Sequence, residues 1–502
     1  MGLFRKKSKA PPACVQEAAA EASGMSRGQQ RLFDLFSMFN ARDMEGNPTL
    51  IDPMALAAFA IDGVPDSCRM RGDVWMILLR HMSPTTDREQ WGREMLQHYT
   101  AYRQLLNDCI LGPQREELCL SPTARVQVGT EFGEGSAASY GMPIDEARRV
   151  ALDVYKDCSR TRLVFHFFVT DPDGYAAKYG YVDTNGQTEG AEDDGMDPSP
   201  SALQARLDDP LEGTFGTLLQ SSLRSRTLSR MFRLLYVFAS LSPSRYVQGM
   251  SDIAAVLFYV FAKQCTDVEC LGIDTEPLTE KQLAALPACD RDLRGDQGTR
   301  ALALAEANAF YCLTKIVSTV PDLFMQGSNQ NQTGMLGAMA RLHLMLQRVD
   351  RPVAVKLKRL GISPEFYAVG WVVSMFSQAL PLPDVCRVWD GVVASLYRYE
   401  VRQQKGQSRA LTGGRGVEMD KESPLDYVLC LACAVVLTCR EAILSPKADM
   451  SVMAQLQQPA CLGQCPSVPI DTLVAQAVHM QETFLQQGLA SRQQKAKGGR
   501  KR

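Results

Sequence analysis

The chain has 502 residues, of which 45% are hydrophobic and 22% charged, and this composition excludes a chain that is disordered along its whole length. Its 54 basic and 56 acidic residues nearly cancel, but residues 5–9 hold four cations and residues 495–502 hold five, with no acid in either segment. Without those nine cations the rest of the chain has a net charge of −11. An anionic body argues against a nucleic-acid partner, because duplex affinity comes largely from neutralising phosphates.

The cysteines and the apolar runs predict where the protein resides. Fifteen cysteines in a chain of this length are typical of a reducing compartment, and Cys430, Cys433 and Cys439 lack the paired spacing and the nearby histidine of a zinc site. No signal peptide is visible, and the longest apolar run, residues 427–439, is shorter than the roughly 20 residues that span a bilayer. The sequence therefore predicts a soluble, cytoplasmic protein.

The segments with clear periodicity are helical. An amphipathic run starts near Ile144 and ends at residues 157–160, and apolar residues recur at three- and four-residue steps over 228–241. Similar patterns predict helices over 302–320 and 426–444. A further helix is predicted to start at Ser363, with Pro364 at its first position, and to stop before Pro381. Because no run of alternating strands appears, the sequence predicts an all-α protein.

The aperiodic segments divide the chain. Residues 1–25 are predicted to be a disordered, basic and Pro/Ala-rich tail, and residues 486–502 a basic C-terminal tail. Between them, residues 26–485 are predicted to form one large helical domain. Three polar stretches rich in Gly, Asp, Pro or Gln are predicted to be surface insertions in it, and the first to be mobile: about 171–213, 265–300 and 399–422.

Two polar clusters lie at predicted helix ends. DCSRT contains Asp157 and Arg160, which lie three residues apart and hence on one helix face. RYVQGM contains Tyr246 and Gln248. Two structural readings stay open: Arg160 as a cation favoured at a helix C-terminus, and Gln248 as a turn residue. Neither cluster contains a nucleophile with a base, and the five histidines are scattered.

Six motifs in order resemble the TBC domain, the GTPase-activating domain that acts on Rab-type GTPases. The resemblance covers roughly residues 60–480. One subgroup of the family has a long insertion between the motifs that correspond here to DCSRT and YVQGM, and this chain resembles that subgroup. The motifs are GVPDSCRMRGDVWMILL (63–79, with Gly63, Pro65, Arg71, Trp75 and Leu79), DCSRT (157–161), YVQGM (246–250), EANAF (306–310), EFYAVGW (365–371) and PLPDVCRVWD (381–390).

The resemblance implies that Arg160 is an arginine finger and Gln248 a glutamine finger, both supplied in trans to the GTPase. In phosphoryl transfer, negative charge spreads over the oxygens of the transferring phosphate, and an arginine guanidinium can compensate that charge. The attacking water must also be held in line with the bond that breaks, and a glutamine amide can hold it. Asp157 would orient Arg160, Tyr246 would fix the loop that carries Gln248, and Thr161 and Gly249 complete the two motifs. The protein would be an activator and not itself an enzyme, with no cofactor of its own, because the partner binds GTP and Mg²⁺.

Three positions depart from the family pattern: Asn308, Gly370 and Ser251. The leading hypothesis is a GTPase-activating protein in vesicle traffic that binds a Rab-type GTPase in its GTP form. The alternative is a catalytically silent TBC-fold scaffold that only binds a GTPase. The basic ends are suited to peripheral contact with anionic intracellular membranes. The tryptophans at 75, 371 and 389 are interpreted as core residues.

Overall fold

The computed structural model describes residues 26–66, 70–106, 108–109, 144–161, 166–169, 181–182, 188–189, 226–262, 278–286, 293, 297–324, 334–405, 421–462 and 467–499. The helices of the first half are α1 (Arg27–Phe39), α2 (Pro53–Ile61), α3 (Met70–Leu78), α4 (Arg88–Leu106), α5 (Ile144–Arg160), α6 (His166–Val169), α7 (Arg226–Leu241) and α8 (Met250–Ala262). Between α6 and α7, two-residue strands β1 (Tyr181–Val182) and β2 (Thr188–Glu189) pair antiparallel.

The second half continues as helices. They are α9 (Glu280–Ala284), α10 (Gln297–Thr319), α11 (Pro321–Phe324), α12 (Gly334–Val349), α13 (Arg351–Arg359), α14 (Val369–Val373), α15 (Leu382–Gln404), α16 (Asp426–Thr438), α17 (Arg440–Leu444), α18 (Ser451–Gln457) and α19 (Ile470–Gly499). Single 3₁₀ turns occur at Pro364–Phe366 and Ala460–Leu462. The all-α prediction is confirmed. No helix in the described part of the chain is both long and apolar enough to cross a membrane.

The core forms around helices that have almost no polar face. In α8 every residue but Asp252 and Tyr259 is buried, and α16 is buried from Asp426 to Val436. Such helices must be covered on all sides, and α8 packs on α10 while α16 packs on α19. All three tryptophans interpreted as core residues are buried, and the rings of Trp75 and Trp389 lie 5.9 Å apart.

Two predicted helices are broken in the structure. The segment that starts at Ser363 forms a 3₁₀ turn and then the short α14, because Met375 and Phe376 adopt left-handed backbone angles with φ of 48° and 65°. Ser363 makes no capping hydrogen bond with its side chain. The segment 426–444 is divided at Cys439 into α16 and α17. Apolar periodicity alone does not reveal either break.

Described helices extend into the predicted insertions and the predicted C-terminal tail. Helix α15 continues to Gln404, inside 399–422, because Arg402 pairs with the buried Glu422 and holds the helix end on the body. Within 265–300, α10 starts at Gln297, and Leu278 and Leu286 are buried on either side of α9. Helix α19 extends to Gly499, through most of the predicted basic tail. Residues 1–25 and, apart from β1 and β2, residues 171–213 lie outside the described residues.

A buried carboxylate on α15 joins the first motif to the last. Asp390 has no exposed surface and accepts hydrogen bonds from the Val64 backbone N–H at 2.8 Å and from the Trp75 indole N–H at 2.9 Å. The guanidinium of Arg71 donates to both of its oxygens, at 3.1 and 3.2 Å, and also pairs with Asp66. Burial raises the pKa of Asp390, and the charge of Arg71 opposes this rise.

A second buried carboxylate lies on α10. Glu306 accepts hydrogen bonds from Tyr102 and Arg230 at 2.8 Å and from Arg233 at 2.5 and 2.9 Å. Burial alone would raise its pKa, but the two arginines hold the pKa below its usual value. Two residues further along α10, Asn308 hydrogen-bonds His81 at 2.9 Å.

His81 lies in a stack of three rings. Its ring centroid is 4.3 Å from that of His98 and 5.2 Å from that of Tyr311. The pKa of His81 is lowered to about 4, chiefly by burial and to a smaller extent by the neighbouring His98, whereas the hydrogen bond to Asn308 acts in the opposite direction. His81 is therefore neutral at physiological pH.

We predict that Asp390→Asn lowers the free energy of unfolding by about 3–5 kcal/mol, because Arg71 then stays buried beside a neutral side chain. The matched control is Asp471→Asn, which removes a 76% exposed carboxylate that also pairs with an arginine, Arg387. That change should cost less than about 1 kcal/mol, since exposed pairs contribute little. Urea unfolding measures both, and equal losses would contradict the prediction.

We also predict that protonation of His81 weakens the fold. In the unfolded chain His81 becomes protonated as the pH falls below the ordinary pKa of 6.5. In the folded chain it stays neutral until the pH falls to about 4. Stability should therefore fall by about 2 kcal/mol between about pH 7 and about pH 5. His81→Gln should remove this part of the loss. His343→Gln is the control, because the His343 ring bonds to Gln347 of its own helix at the exposed surface. The loss of stability should persist in that variant.

Candidate functional site

The last turn of α5 holds the first cluster. The Asp157 carboxylate is almost fully buried, and its Oδ1 pairs with the Arg160 guanidinium one turn away. The Thr161 hydroxyl donates to the Asp157 carbonyl at 2.7 Å, and the Thr161 N–H donates to the Cys158 carbonyl at 3.1 Å. These bonds satisfy carbonyls that a helix end leaves without partners. Thr161 is itself buried, so it tightens the turn and does not face solvent.

Tyr246 connects the second cluster to the first. Its hydroxyl donates to Asp157 Oδ2 at 2.6 Å across a sequence separation of 89 residues. Asp157 thus uses one oxygen for Arg160 and the other for Tyr246. Burial, together with the neighbouring Cys158 and Asp157, raises the pKa of Tyr246 well above its ordinary value, so the tyrosine remains a hydrogen-bond donor.

The segment from α7 to Tyr246 turns sharply at Arg245, whose φ is +56°. A non-glycine residue in this region is strained, at about 1–3 kcal/mol, and needs other contacts to hold it. The Arg245 guanidinium donates to the Ala239 and Ser240 carbonyls at 3.3 and 3.2 Å, at the end of α7. It also pairs with Glu146 in the first turn of α5 at 3.2 Å. Arg245 therefore fixes the entry to the second cluster against two helices.

Gly249 fixes the exit. Its φ is +100°, and a Cβ atom there would lie 2.9 Å from Val373 Cγ1 on α14. Helix α8 then begins at the fully buried Met250, whose N–H donates to the Val247 carbonyl at 3.1 Å. Both sides of Tyr246–Gln248 are thus held by residues in left-handed backbone conformations.

Two polar side chains of the site face solvent. The Arg160 side chain is 62% exposed, and within the described residues Asp157 is its one ion-pair partner. Its pKa is raised, chiefly by the hydrogen bond to Asp157, so it stays charged. Gln248 is exposed, and no described residue hydrogen-bonds its side chain. The site therefore presents a fixed cation and an available amide.

Of the six residues chosen from the sequence, the structure joins Arg160, Asp157, Thr161 and Tyr246 by hydrogen bonds, and it places Gln248 and Gly249 immediately after Tyr246. Sequence reasoning missed Arg245, Glu146 and Val373. The residues that neighbour Arg245 in the sequence do not indicate that it adopts a left-handed conformation. The described residues contain no group of three or more metal-ligand side chains.

The three departures from the family pattern fit the structure. The Asn308 side-chain oxygen accepts a hydrogen bond from His81 Nε2, and Ser251 is buried in the first turn of α8. Gly370 is exposed, and a Cβ atom there would meet no neighbour within 4 Å. None of the three contacts Asp157 or Arg160 through a hydrogen bond in the described part of the chain.

The fold and the site define a helical domain with an exposed, charged arginine on α5 and an exposed amide two residues after Tyr246, the tyrosine that bonds to the same carboxylate as that arginine. Such an arrangement suits action on a bound partner. Residues 196–401 match the family model described as the Rab-GTPase-TBC domain, and this match supports the resemblance of the chain to the TBC-domain family. The matched range includes Gln248 but begins after Arg160.

Relatives and a solved structure agree with this assignment. TBC1 domain family member 13 of mouse and human is 26% identical over 227 residues, which are 45% of this chain and 42% of the relative. The chain therefore matches about two fifths of the length of those proteins. The TBC domain-containing protein C1952.17c of Schizosaccharomyces pombe is 22% identical over 468 residues, with 80% of this chain and 67% of the relative covered. The crystal structure of the Ypt/Rab-GAP domain of Gyp1p shares the fold, with a TM-score of 0.54, 14% identity, and coverage of 91% of this chain and all of that one.

We predict that Gly249→Ala lowers stability by about 2–4 kcal/mol, because the new methyl group meets Val373 in addition to the left-handed backbone. Gly361→Ala separates the two causes. Gly361 also has a positive φ, of +70°, but a Cβ atom there meets nothing within 4 Å. Gly361→Ala should therefore lower the free energy of unfolding by only about 1 kcal/mol. In a double variant, Val373→Ala should restore part of the stability that Gly249→Ala removes. Thermal unfolding of the four variants tests this, and an equal loss for the two glycine changes would contradict it.

Proposed function

We propose that this protein is a GTPase-activating protein for a Rab-type small GTPase, with Arg160 and Gln248 acting in trans. The observation that carries the proposal is the hydrogen bond between Tyr246 and Asp157, at 2.6 Å, because it ties the loop of Gln248 to the carboxylate that orients Arg160. The match of residues 196–401 to the Rab-GTPase-TBC domain supports the same conclusion. The name of the Gyp1p structure refers to a Ypt/Rab-GAP domain.

Arg160 supplies charge to the reaction. In phosphoryl transfer, negative charge spreads over the oxygens of the transferring group in the transition state. Compensation of that charge is therefore a main way to lower the barrier to hydrolysis. One guanidinium nitrogen of Arg160 is held by Asp157, which fixes the plane of the fork. The other N–H groups of the exposed fork are then available to two phosphate oxygens of a bound partner. Asp157 acts on the reaction only through Arg160 and is a positioning residue.

Gln248 supplies a polar amide that can hold the attacking water. The amide has both a donor and an acceptor, so it can orient a water toward the phosphorus atom in place of the glutamine of the GTPase. Tyr246 on one side and Gly249 on the other fix the backbone that carries it. A preset loop reduces the entropy lost when the water is ordered in the transition state.

The partner supplies the remaining chemistry. We expect the GTPase to bring GTP and Mg²⁺, so that this protein is an activator with no nucleotide site or cofactor of its own. Because arginine and glutamine compensate charge that develops during hydrolysis, the protein should act on the GTP form. Its proposed place is the cytoplasm, in the regulation of vesicle traffic, with the basic ends in contact with anionic membranes.

Single-turnover GTP hydrolysis over a panel of Rab-type GTPases tests the proposal. With the GTPase that responds, Arg160→Ala should lower stimulation by about 10³–10⁵, and Arg160→Lys should restore little because a point charge cannot span two oxygens. Gln248→Ala should also be severe. The double variant should be about as poor as the worse single variant, since the two side chains act as one unit.

Arg93→Ala is the matched control. Arg93 is 58% exposed and pairs with Glu89 on its own helix, so its removal changes charge and exposure in a similar way. It should leave stimulation unchanged. Equal stimulation by wild type and Arg160→Ala would overturn the proposed mechanism. Tight binding of a GTPase in its GTP form, without any stimulation by wild type, would instead assign the silent scaffold.

A further inference from the structure

A sharp corner joins α12 to α13, and it is built on a single residue, Asp350. The Asp350 N–H donates to the Leu346 carbonyl at 2.8 Å, and its carboxylate caps α13 by accepting the Val353 N–H at 3.1 Å. The other carboxylate oxygen accepts from Arg440 Nε at 2.7 Å. Both oxygens of Asp350 are therefore engaged inside the protein.

Helix α13 is divided into two faces. Val353, Ala354 and Leu357 are buried against the body. On the opposite face, residues at helical spacing are exposed, and the end of α12 adds two more beside them. We call this surface the α13 face: Arg348, Val349, Arg351, Val355, Lys358 and Arg359.

The α13 face is strongly basic in a chain whose body is anionic. Residues 348–360 contain five cations and one acid, Asp350. In the part of the chain that the structure describes, no ion pair involves Arg348, Arg351, Lys358 or Arg359. The adjoining segment 440–450 has two cations and two acids and adds no net charge.

Helix stability does not explain this pattern fully. Lys358 and Arg359 are favoured at the end of α13 by the helix dipole, and so is Arg348 at the end of α12. Arg351, however, is the first residue of α13, where the dipole disfavours a cation. Val349 and Val355 are 37% and 38% exposed between the cations. Apolar side chains among long cationic ones are typical of helices that lie on a membrane surface.

We propose that the α13 face docks the protein on an anionic lipid bilayer. The cations would lie at the level of the headgroups, with Val349 and Val355 directed between them. Backbone N–H and C=O groups of α13 are bonded within the helix, so the face offers side chains and no edge for an extended acidic peptide. The residues of this face are distinct in sequence from the basic ends of the chain and from Arg160 and Gln248.

The test uses the full chain and sedimentation with vesicles of phosphatidylcholine, alone or with about 30% phosphatidylserine. The triple variant Arg351→Gln, Lys358→Gln, Arg359→Gln keeps both basic ends. Because each cation near an anionic surface is worth about fivefold in affinity, the triple variant should bind the anionic vesicles about a hundredfold more weakly. Binding by wild type should weaken as NaCl is raised from about 0.1 M to about 0.5 M.

The matched control is Arg42→Gln, Lys281→Gln, Lys405→Gln. These three cations are also exposed, and they lie far apart in the sequence. The control has the same net charge as the test variant and should retain binding within about threefold of wild type. Circular dichroism and thermal unfolding should show both variants folded like wild type.

Equal losses in the two triple variants would overturn the proposal, because net charge and not the α13 face would then govern binding. Wild-type binding that ignores phosphatidylserine would overturn it as well. An absence of vesicle binding by wild type would also overturn the proposal. If a polyglutamate probe then bound wild type but not the α13 triple variant, the face would be assigned to an acidic protein. GTPase stimulation in solution, without vesicles, is unaffected by any of these outcomes.

Discussion

The buried carboxylate of Asp390 fixes how the two halves of the domain meet. The three residues that donate hydrogen bonds to it, Val64, Arg71 and Trp75, lie 315 to 326 positions earlier in the chain. One carboxylate with no exposed surface therefore accepts hydrogen bonds from all three. Apolar packing brings helices together but tolerates sliding, whereas a charge removed from water must find its own donors. Glu306 on α10 and Asp426 on α16, paired with Arg341, repeat the device. The helices supply burial, and the carboxylates fix their register.

Asp157 applies the same principle at the protein surface. Its carboxylate is buried like that of Asp390, but one of its partners, Arg160, keeps most of its side chain in solvent. The anchored end of the guanidinium is therefore rigid while the free end is accessible. Arg245 and Gly249 give the loop of Gln248 a similar rigidity through backbone strain that neighbouring helices hold in place. Preset geometry of this kind fits the proposed role of an activator, for which the reacting atoms would belong to another protein.

The sequence was sufficient for the fold class, for α5, α7 and α10, and for the segments that form the site, because amphipathic periodicity and ordered motifs are local signals. It failed where distant contacts decide the backbone. Met375 and Phe376 are fully buried in left-handed conformations, and only the surrounding core holds them there. Arg245 could not be identified from sequence because its role depends on Glu146, 99 positions earlier in the chain. The polar stretch 265–300 concealed Leu278 and Leu286, whose burial depends on tertiary packing.

The hydrogen bond between Tyr246 and Asp157 closes a loop of chain across a separation of 89 residues. Loop closure depends only weakly on length: doubling such a loop costs about 0.6 kcal/mol of chain entropy. One end of this loop is fixed on α5 and the other against the end of α7, so residues added between α6 and α7 need not change the spacing of Arg160 and Gln248. Evolution could therefore insert new sequence at this point, and an added domain could bring regulation to the protein without a redesign of its helices.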